Sequence, residues 1–113
     1  MVSKKEVVIE GNVGNTFSDS VKATIIDCET TIFVIKNTNL SGSNYALKYS
    51  IMFTPDQDVA TINWYTKVSG ISLSAGGWAT HKVTDPWEAA KIQVVNSTSG
   101  EVAQVKGWIN RRG

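Results

Sequence analysis

The sequence predicts an all-β fold, an antiparallel β-sandwich or jelly roll of about eight or nine short strands. Short segments rich in Val, Ile, Thr and aromatic residues recur along the whole chain. Turn-forming Gly, Asn, Ser and Asp residues separate these segments at intervals of roughly eight to twelve residues, which is typical of a sandwich. The only helix-like segment, residues 85–90, is long enough for about one turn, so parallel βαβ units are not expected.

Composition and charge narrow the class further. The chain has 113 residues, of which 42% are hydrophobic and 19% charged. These values are typical of a folded protein, and the length suits one two-layer core, so we expect a single β-sandwich domain over residues 1–113. Eleven basic and ten acidic residues give a net charge of +1. Because nucleic-acid binding usually requires a basic stripe, no nucleic acid partner is expected, and the near-zero charge favours self-association.

Four strands are predicted in the first half of the chain, over residues 6–10, 20–28, 31–36 and 45–53. The fourth has the clearest pattern, because apolar and polar residues alternate from Tyr45 to Phe53. The third differs, since residues 32–35 are apolar in succession. Such a run predicts a central strand that is covered on both sides or lies at an interface.

The second half of the chain has strand patterns at residues 60–68, 71–73, 81–83, 91–96 and 101–109. Gly76 and Gly77 predict a turn after the second of these. The last two are separated by Ser97-Thr98-Ser99-Gly100, which predicts a terminal β-hairpin with a loop of about four residues. Trp108 and Ile109 would then tie the C-terminus into a sheet.

Cys28 is the only cysteine, so neither a disulfide within the chain nor a Cys-based zinc cluster is expected. Its place at the end of an alternating stretch favours a small buried thiol over a nucleophile. No apolar run approaches the length of a membrane span, and no signal-peptide core is visible near Met1. We therefore expect no membrane span, and the sequence leaves the localisation open.

No set of catalytic residues can be assembled from the sequence. The one histidine, His81, has no nucleophile motif beside it and is interpreted as a loop or strand-edge residue. Asp56 and Asp58 resemble the start of a calcium loop, but the glycine and distal glutamate of an EF-hand are missing. Asp85 and Glu88 are more simply a helix cap than an acid and base pair. We expect no enzyme activity and no cofactor, and a small hydrolase ranks last among the alternatives.

Aromatic side chains are the remaining candidates for function. Trp78 follows two glycines and Trp87 follows a proline, so both are predicted in loops and exposed. With Tyr65 they form the candidate set for ligand or protein contact, and Ile35 of the apolar run joins it as a candidate interface residue. Exposed tryptophans stack on sugars or bury into protein neighbours, and protein contact is the preferred interpretation.

Residues 33–39, Phe-Val-Ile-Lys-Asn-Thr-Asn, and residues 90–96, Ala-Lys-Ile-Gln-Val-Val-Asn, give a strand followed by an Asn-containing loop. This pattern resembles small β-sandwich domains of phage and other viral structural proteins. The resemblance covers about half of the chain. It implies a capsid decoration or other virion surface role, with a capsid protein as partner, and it carries over no catalytic residue.

Two functions from different classes follow. The preferred one is a non-enzymatic structural protein that forms a homo-oligomer or coats a larger protein assembly, because the apolar strand, the loop tryptophans and the missing chemistry agree with it. The alternative is a carbohydrate-binding module in which Trp78, Trp87 or Tyr65 forms a stacking platform. The sequence leaves the symmetry and the identity of the partner open.

Overall fold

The computed structural model describes residues 3–14, 18–20, 23–26, 28–39, 47–55, 64–84, 87–96 and 103–112. In these residues the fold is all-β. The described strands are β1 (Ser3–Val13), β2 (Ser18–Asp19), β3 (Ala23–Thr24), β4 (Thr30–Asn37), β5 (Leu47–Thr54), β6 (Tyr65–Leu73), β7 (Trp78–Val83), β8 (Ala89–Asn96) and β9 (Ala103–Arg112). The all-β prediction is confirmed, and no described helix is long and apolar enough to cross a membrane.

The strands form two antiparallel sheets. Sheet A has the order β1-β9-β4-β7, and sheet B has the order β2-β8-β5-β6, with β3 also paired to β8. The pairs are nested along the chain: β5 pairs with β6, β4 with β7, β2 and β3 with β8, and β1 with β9. The chain is thus one long antiparallel ribbon, folded back between β5 and β6 and wrapped into two layers. This is the jelly roll that the sequence predicted.

The core lies between the two sheets. In β5 the side chains of Leu47, Tyr49, Ile51 and Phe53 point inward and are at most 2% exposed. Phe53 meets Phe33 of sheet A edge to face, with ring centroids 5.7 Å apart. The alternation predicted for this strand is confirmed, because every second side chain of a strand points to the same face.

The predicted terminal hairpin is wrong. β8 pairs with β5, β2 and β3 in sheet B, whereas β9 pairs with β1 and β4 in sheet A. Strands that follow one another in sequence often pair, but alternation alone does not say which strand is the partner. In this topology β9 fills the centre of sheet A, because it completes the pairing of both β1 and β4.

The prediction that residues 32–35 are covered on both sides also needs correction. Along β4, fully buried residues alternate with half-buried ones. Phe33 and Ile35 are 0% exposed and belong to the core. Ile32 and Val34 lie on the outer face of sheet A and are only half-buried. The apolar run therefore has one core face and one face towards solvent.

Several local predictions differ in extent. Residues 71–73 continue β6 instead of forming a separate strand. Gly11, predicted in a turn, lies within β1, where its φ of 125° needs a glycine. The helical turn does not extend to Ala89 and Ala90, because both begin β8. Asp85, Pro86, Asp56 and Asp58 lie outside the described residues.

Candidate interaction surface

The outer face of sheet A carries a cluster that we call the tryptophan–lysine face, formed by Trp78, Trp108, Lys5, Lys36 and Lys106. It spans all four strands of the sheet. In the strand register, Val34 of β4 lies beside Trp108 of β9, and Lys36 of β4 lies beside Trp78 of β7. Because the neighbours Val105, Ile109 and Ile35 are buried, the alternation of each strand directs the cluster outward.

The two tryptophans stack on each other. Their ring centroids are 5.8 Å apart and their planes differ by 9°. Trp78 is 58% exposed, the largest exposure among the described large hydrophobic side chains. Beside the stack, Lys5, Val34 and Asn110 join both rings in lining a shallow cleft of about 90 Å³. The pair therefore presents a wide, rigid apolar area to solvent.

Lysine ammonium groups lie over the indole rings. Lys36 Nζ is 4.6 Å from the centre of the Trp78 ring. Lys106 Nζ and Lys5 Nζ lie 5.2 and 5.5 Å from the Trp108 ring. Each contact contributes roughly 0.5–1 kcal/mol at an exposed site. Lys106 also forms an ion pair with Glu10 at 3.4 Å. These contacts hold the lysines against the rings and leave their charges at the surface.

The apolar area extends beyond the tryptophans. Val7 of β1 and Val34 of β4 flank Trp108 on its two sides; Val7 is 45% exposed, and Val34 and its β4 neighbour Ile32 are half-buried. The outer face of an antiparallel sheet that meets only water is normally polar. The outer face of sheet B carries the polar Lys48, Ser50, Thr66 and Gln93 together with Val95. On the same sheet Lys91 Nζ lies 4.6 Å from the centre of the half-buried Trp64 ring. What distinguishes the outer face of sheet A is the stacked tryptophan pair, of which Trp78 is 58% exposed, with the 45% exposed Val7 beside Trp108.

The turn before β7 sets the position of Trp78. Gly76 has a φ of 78°, and a Cβ on Gly77 would lie 2.9 Å from the Ser74 carbonyl oxygen, so both positions need glycine. The buried Asn37 at the end of β4 donates its side-chain amide to the Leu73 carbonyl at 3.1 Å. Its backbone also bonds to Gly76 and Gly77. The turn is therefore fixed to β4 next to Trp78.

A polar groove of about 240 Å³ lies on the outer face of sheet B. It is lined by Lys48, Ser50, Thr66, Ser69, Gly70, Gln93 and Val95. Two residues of β6, Ser69 and Gly70, stand opposite Ser50 alone, which makes a bulge. The backbone N–H of Gly70 donates to Ser50 Oγ at 2.9 Å and fixes the bulge. Hydroxyl and amide groups, the Lys48 ammonium and the Val95 side chain therefore line this groove together.

Asp19 of β2 orders the side of β8 that borders the groove. Its two carboxylate oxygens accept hydrogen bonds at 2.9 Å, one from Lys91 Nζ and one from Gln93 Nε2. Burial opposes ionisation, but the hydrogen bonds from Lys91 and Gln93 outweigh it, so the pKa of Asp19 lies below its usual value. Gln93 is held by a charged acceptor and keeps a fixed orientation.

The sequence-predicted candidates lie in three different places. Trp78 is in the tryptophan–lysine face. Tyr65 and Trp87 are part of sheet B and its border, where the rings of Phe53, Trp87 and Tyr65 follow one another at centroid distances of 5.6 and 5.9 Å. Ile35 is 0% exposed in the core. A buried side chain cannot contact a partner of the folded protein, so Ile35 is removed from the candidate set.

Trp87 and Tyr65 differ in exposure. Tyr65 is 54% exposed, whereas Trp87 is partly buried and packs against the hydrophobic core. The expected exposure of Trp87 is therefore wrong in degree. No described residue accepts a hydrogen bond from the indole N–H of Trp87. We interpret Trp87 as a cover over Phe53, with Tyr65 stacked on its outer side.

The described residues contain no group of three His, Cys, Asp or Glu side chains that could hold a metal ion. His81 lies in β7, an edge strand of sheet A, as predicted. Its Nε2 and the hydroxyl of Tyr49 are 2.6 Å apart, and no described acid lies in that contact. Cys28 is a free thiol of intermediate exposure, not the buried one that was predicted.

Sequence reasoning missed Trp108, which was interpreted as structural, and the lysines beside it. Trp108 shares the outward alternation of Lys106 and Asn110, opposite to the buried Val105 and Ile109. That alternation was a signal that Trp108 faces solvent. Its contact with Trp78 has no signal in the sequence, because it requires β4 to lie between β9 and β7.

Comparisons with known proteins give the fold and no family. No protein-family model matches the sequence, and no curated protein sequence does either. Among solved structures, the chain of the disulfide-linked pili of Bacillus endospore appendages is similar, with a TM-score of 0.53 and 15% identity over 98% of this chain and 87% of that one. The crystal structure of PirA has a TM-score of 0.57 and 11% identity over 97% of this chain and 93% of that one.

A part of tripeptidyl peptidase 2 is also similar, with a TM-score of 0.64 and 6% identity over 98% of this chain and 10% of that one. At such identities the likeness shows the shared fold alone. The weak resemblance to β-sandwich domains of structural proteins extends to solved structures such as the pilus chain. A chain in the structure of infectious bursal disease virus has a TM-score of 0.44, with 14% identity over 98% of this chain and 29% of that one.

Proposed function

We propose that the protein is a non-enzymatic assembly component that joins copies of itself into an oligomer or a larger array through the outer face of sheet A. The observation that carries this proposal is the difference between the two outer faces. Sheet A presents the stacked Trp78 and Trp108 with Val7 and Val34, whereas the groove on sheet B is lined by three hydroxyl side chains, Lys48, Gln93 and Val95. An apolar area rimmed by polar groups is typical of a protein-binding surface.

The arrangement also suits an energetically strong contact. Interface hot spots are enriched in tryptophan, and the stack of Trp78 on Trp108 is already ordered before a partner arrives. Association therefore costs little side-chain entropy at this point. The setting that we propose is a large protein array such as a virion surface, where a compact domain with one adhesive face adds to a lattice of protein subunits.

Sedimentation velocity over a concentration series tests this proposal. We expect wild-type protein to associate, and Trp78→Ala to weaken association by about tenfold or more, as for a central hot-spot residue. Tyr65→Ala is the matched control, because Tyr65 is 54% exposed against 58% for Trp78 but lies on sheet B. Thermal unfolding of both variants checks that the fold is retained. Equal association of wild type and Trp78→Ala, or a monomer at all concentrations, would contradict the proposal.

The second candidate function is carbohydrate binding, favoured by the polar groove on sheet B. Its hydroxyl groups, the fixed Gln93 amide and Lys48 are groups that can recognise a polyhydroxylated ligand. The Trp78 ring is less suited to a sugar, since Lys36 lies over it. Titration with cellohexaose, xylohexaose and mannohexaose, followed by NMR, tests this function. Shifts that Gln93→Ala abolishes would support it, and unchanged spectra with all three sugars would exclude these glycans as ligands.

A further inference from the structure

The outer face of sheet A, which includes the tryptophan–lysine face, carries a net positive charge. Five of the described basic residues belong to the outer face of sheet A: Lys5, Lys36, Lys82, Lys106 and Arg112. Lys82 lies beside the outward Ile32, and the exposed Arg112 continues the outward alternation of Lys106, Trp108 and Asn110 in β9. Glu10 is the one carboxylate described on this face. Without these six residues, the eleven basic and ten acidic residues of the chain become six and nine. The outer face of sheet A thus has a formal charge of +4, and the rest of the chain has a formal charge of −3.

This distribution argues against a two-fold contact of the face with itself. In such an isologous contact the same patch serves both copies. The five basic residues of one copy would then approach the five of the other, and the described residues of the face supply only Glu10 on each side to compensate. Like charges brought together at an interface oppose binding. The apolar gain from Trp78 and Trp108 would be offset by this repulsion.

We propose that self-association is heterologous: the tryptophan–lysine face of one copy packs on an acidic surface elsewhere on the next copy. This inference rests on the proposed function and specifies the partner surface. The half-exposed Val7, Ile32 and Val34 supply the apolar contact, and the lysines around the rings supply ion pairs and register. A heterologous contact repeats from copy to copy, so the product is a ring or an open filament and not a dimer.

The same geometry favours a protein surface over a nucleic acid as the occupant. Single-stranded nucleic acids bind by stacking bases on free aromatic faces. Here Trp78 and Trp108 stack on each other, and lysines lie over both rings. Apolar Val7 and Val34 between the lysines have no counterpart in a phosphate backbone. An acidic protein surface with apolar side chains matches both features.

Varying the salt concentration and reversing one charge test whether attraction between opposite charges stabilises the association. Sedimentation velocity at 50 and 300 mM NaCl is expected to show an association constant that falls at least fivefold with salt. Lys36→Glu is expected to weaken association about tenfold or more. Lys48→Glu makes the same change on the outer face of sheet B and is expected to leave association near wild type. Association that strengthens with salt, or with Lys36→Glu, would overturn the heterologous contact.

Mixing wild type with Trp78→Ala tests the geometry. In a heterologous contact this variant has lost its face but keeps its acidic surface, so it binds to the end of a wild-type assembly and stops growth. An equimolar mixture is then expected to contain shorter assemblies than wild type alone. In an isologous contact the variant would stay apart and wild-type dimers would persist, which overturns the inference.

The two proposals fail in different ways. One outcome is a dimer that salt stabilises and that Trp78→Ala disrupts. It would support the tryptophan–lysine face as the assembly surface and overturn only the heterologous contact. Association that Trp78→Ala leaves intact, or its complete absence, would overturn both. Tighter binding of a single-stranded oligonucleotide than of a second copy would overturn the choice of partner.

Discussion

At the scale of single residues, Tyr49 and His81 form a polar contact between the two sheets. The Tyr49 hydroxyl and His81 Nε2 are 2.6 Å apart, which links β5 of sheet B to β7 of sheet A. Tyr49 is 2% exposed, and burial raises the pKa of its hydroxyl above the ordinary value of 10.0. The folded protein therefore keeps this proton more tightly than the unfolded chain does.

This shift predicts that stability falls at alkaline pH. Because the pKa of Tyr49 is raised in the folded state, its contribution is complete below pH 10.0 and is lost as the pH rises through the folded-state pKa. The loss is at most about 1.4 kcal/mol per pH unit for one proton. Urea unfolding between pH 8 and pH 11 measures the slope, which Tyr49→Phe is expected to reduce.

The control for this prediction is Tyr65→Phe, which removes the hydroxyl of a tyrosine that is 54% exposed. Its slope above pH 10 is expected to match wild type. Tyr49→Phe is also expected to cost about 1 kcal/mol at neutral pH through the lost hydrogen bond to His81. An alkaline slope unchanged by Tyr49→Phe would show that other groups cause the loss of stability.

At the scale of elements, β9 depends on a glycine at its centre. Gly107 is paired with Ile9 of β1 and Ile35 of β4. A Cβ at Gly107 would lie 2.7 Å from Ile9 Cγ2 and 3.2 Å from Ile92 Cδ1, so it would meet side chains of both sheets. The missing side chain at Gly107 therefore leaves the space that these two isoleucines occupy.

Gly107→Ala is therefore expected to destabilise the protein by about 1–3 kcal/mol, the usual cost of an overpacked core. Chemical unfolding followed by tryptophan fluorescence measures it. Gly14→Ala is the control, because nothing lies within 4 Å of its Cβ position. Ile9→Ala removes the closest methyl group, so the Gly107→Ala and Ile9→Ala costs are expected to be less than additive. Full additivity would mean that no such contact exists.

The elements also show how far the sequence can predict this structure. The alternation of β5 identified its buried face, because that signal lies within one strand. The partners of β8 and β9 could not be predicted, since β9 pairs with β1 about a hundred residues earlier in the chain. Trp78 could be predicted as an exposed candidate because its two preceding glycines are a local signal. Trp108 and Lys36 were missed because their contact with Trp78 is not local in the sequence. Their proximity arises from the order of three strands.

At the scale of the whole molecule, nested pairing brings the two ends of the chain together. Ser3 of β1 pairs with Arg112 of β9. In the native order this pairing must close nearly the full length of the chain, and such non-local pairing slows folding. Sheet A therefore depends on a contact that is costly in loop entropy.

A circular permutant tests this dependence. Joining Gly113 to Met1 and opening the chain between Thr98 and Ser99 makes β9 and β1 consecutive strands, so that their pairing becomes a local hairpin. We expect the permutant to keep the native fold and to refold faster than wild type, on the order of tenfold, because less loop entropy is lost before β1 and β9 pair. Stopped-flow refolding measures the rate, and the fluorescence of Trp78 and Trp108 checks the fold. Refolding at the wild-type rate would mean that β1 and β9 pair only after the rate-limiting step, with β4 and β5 to β8 forming the nucleus.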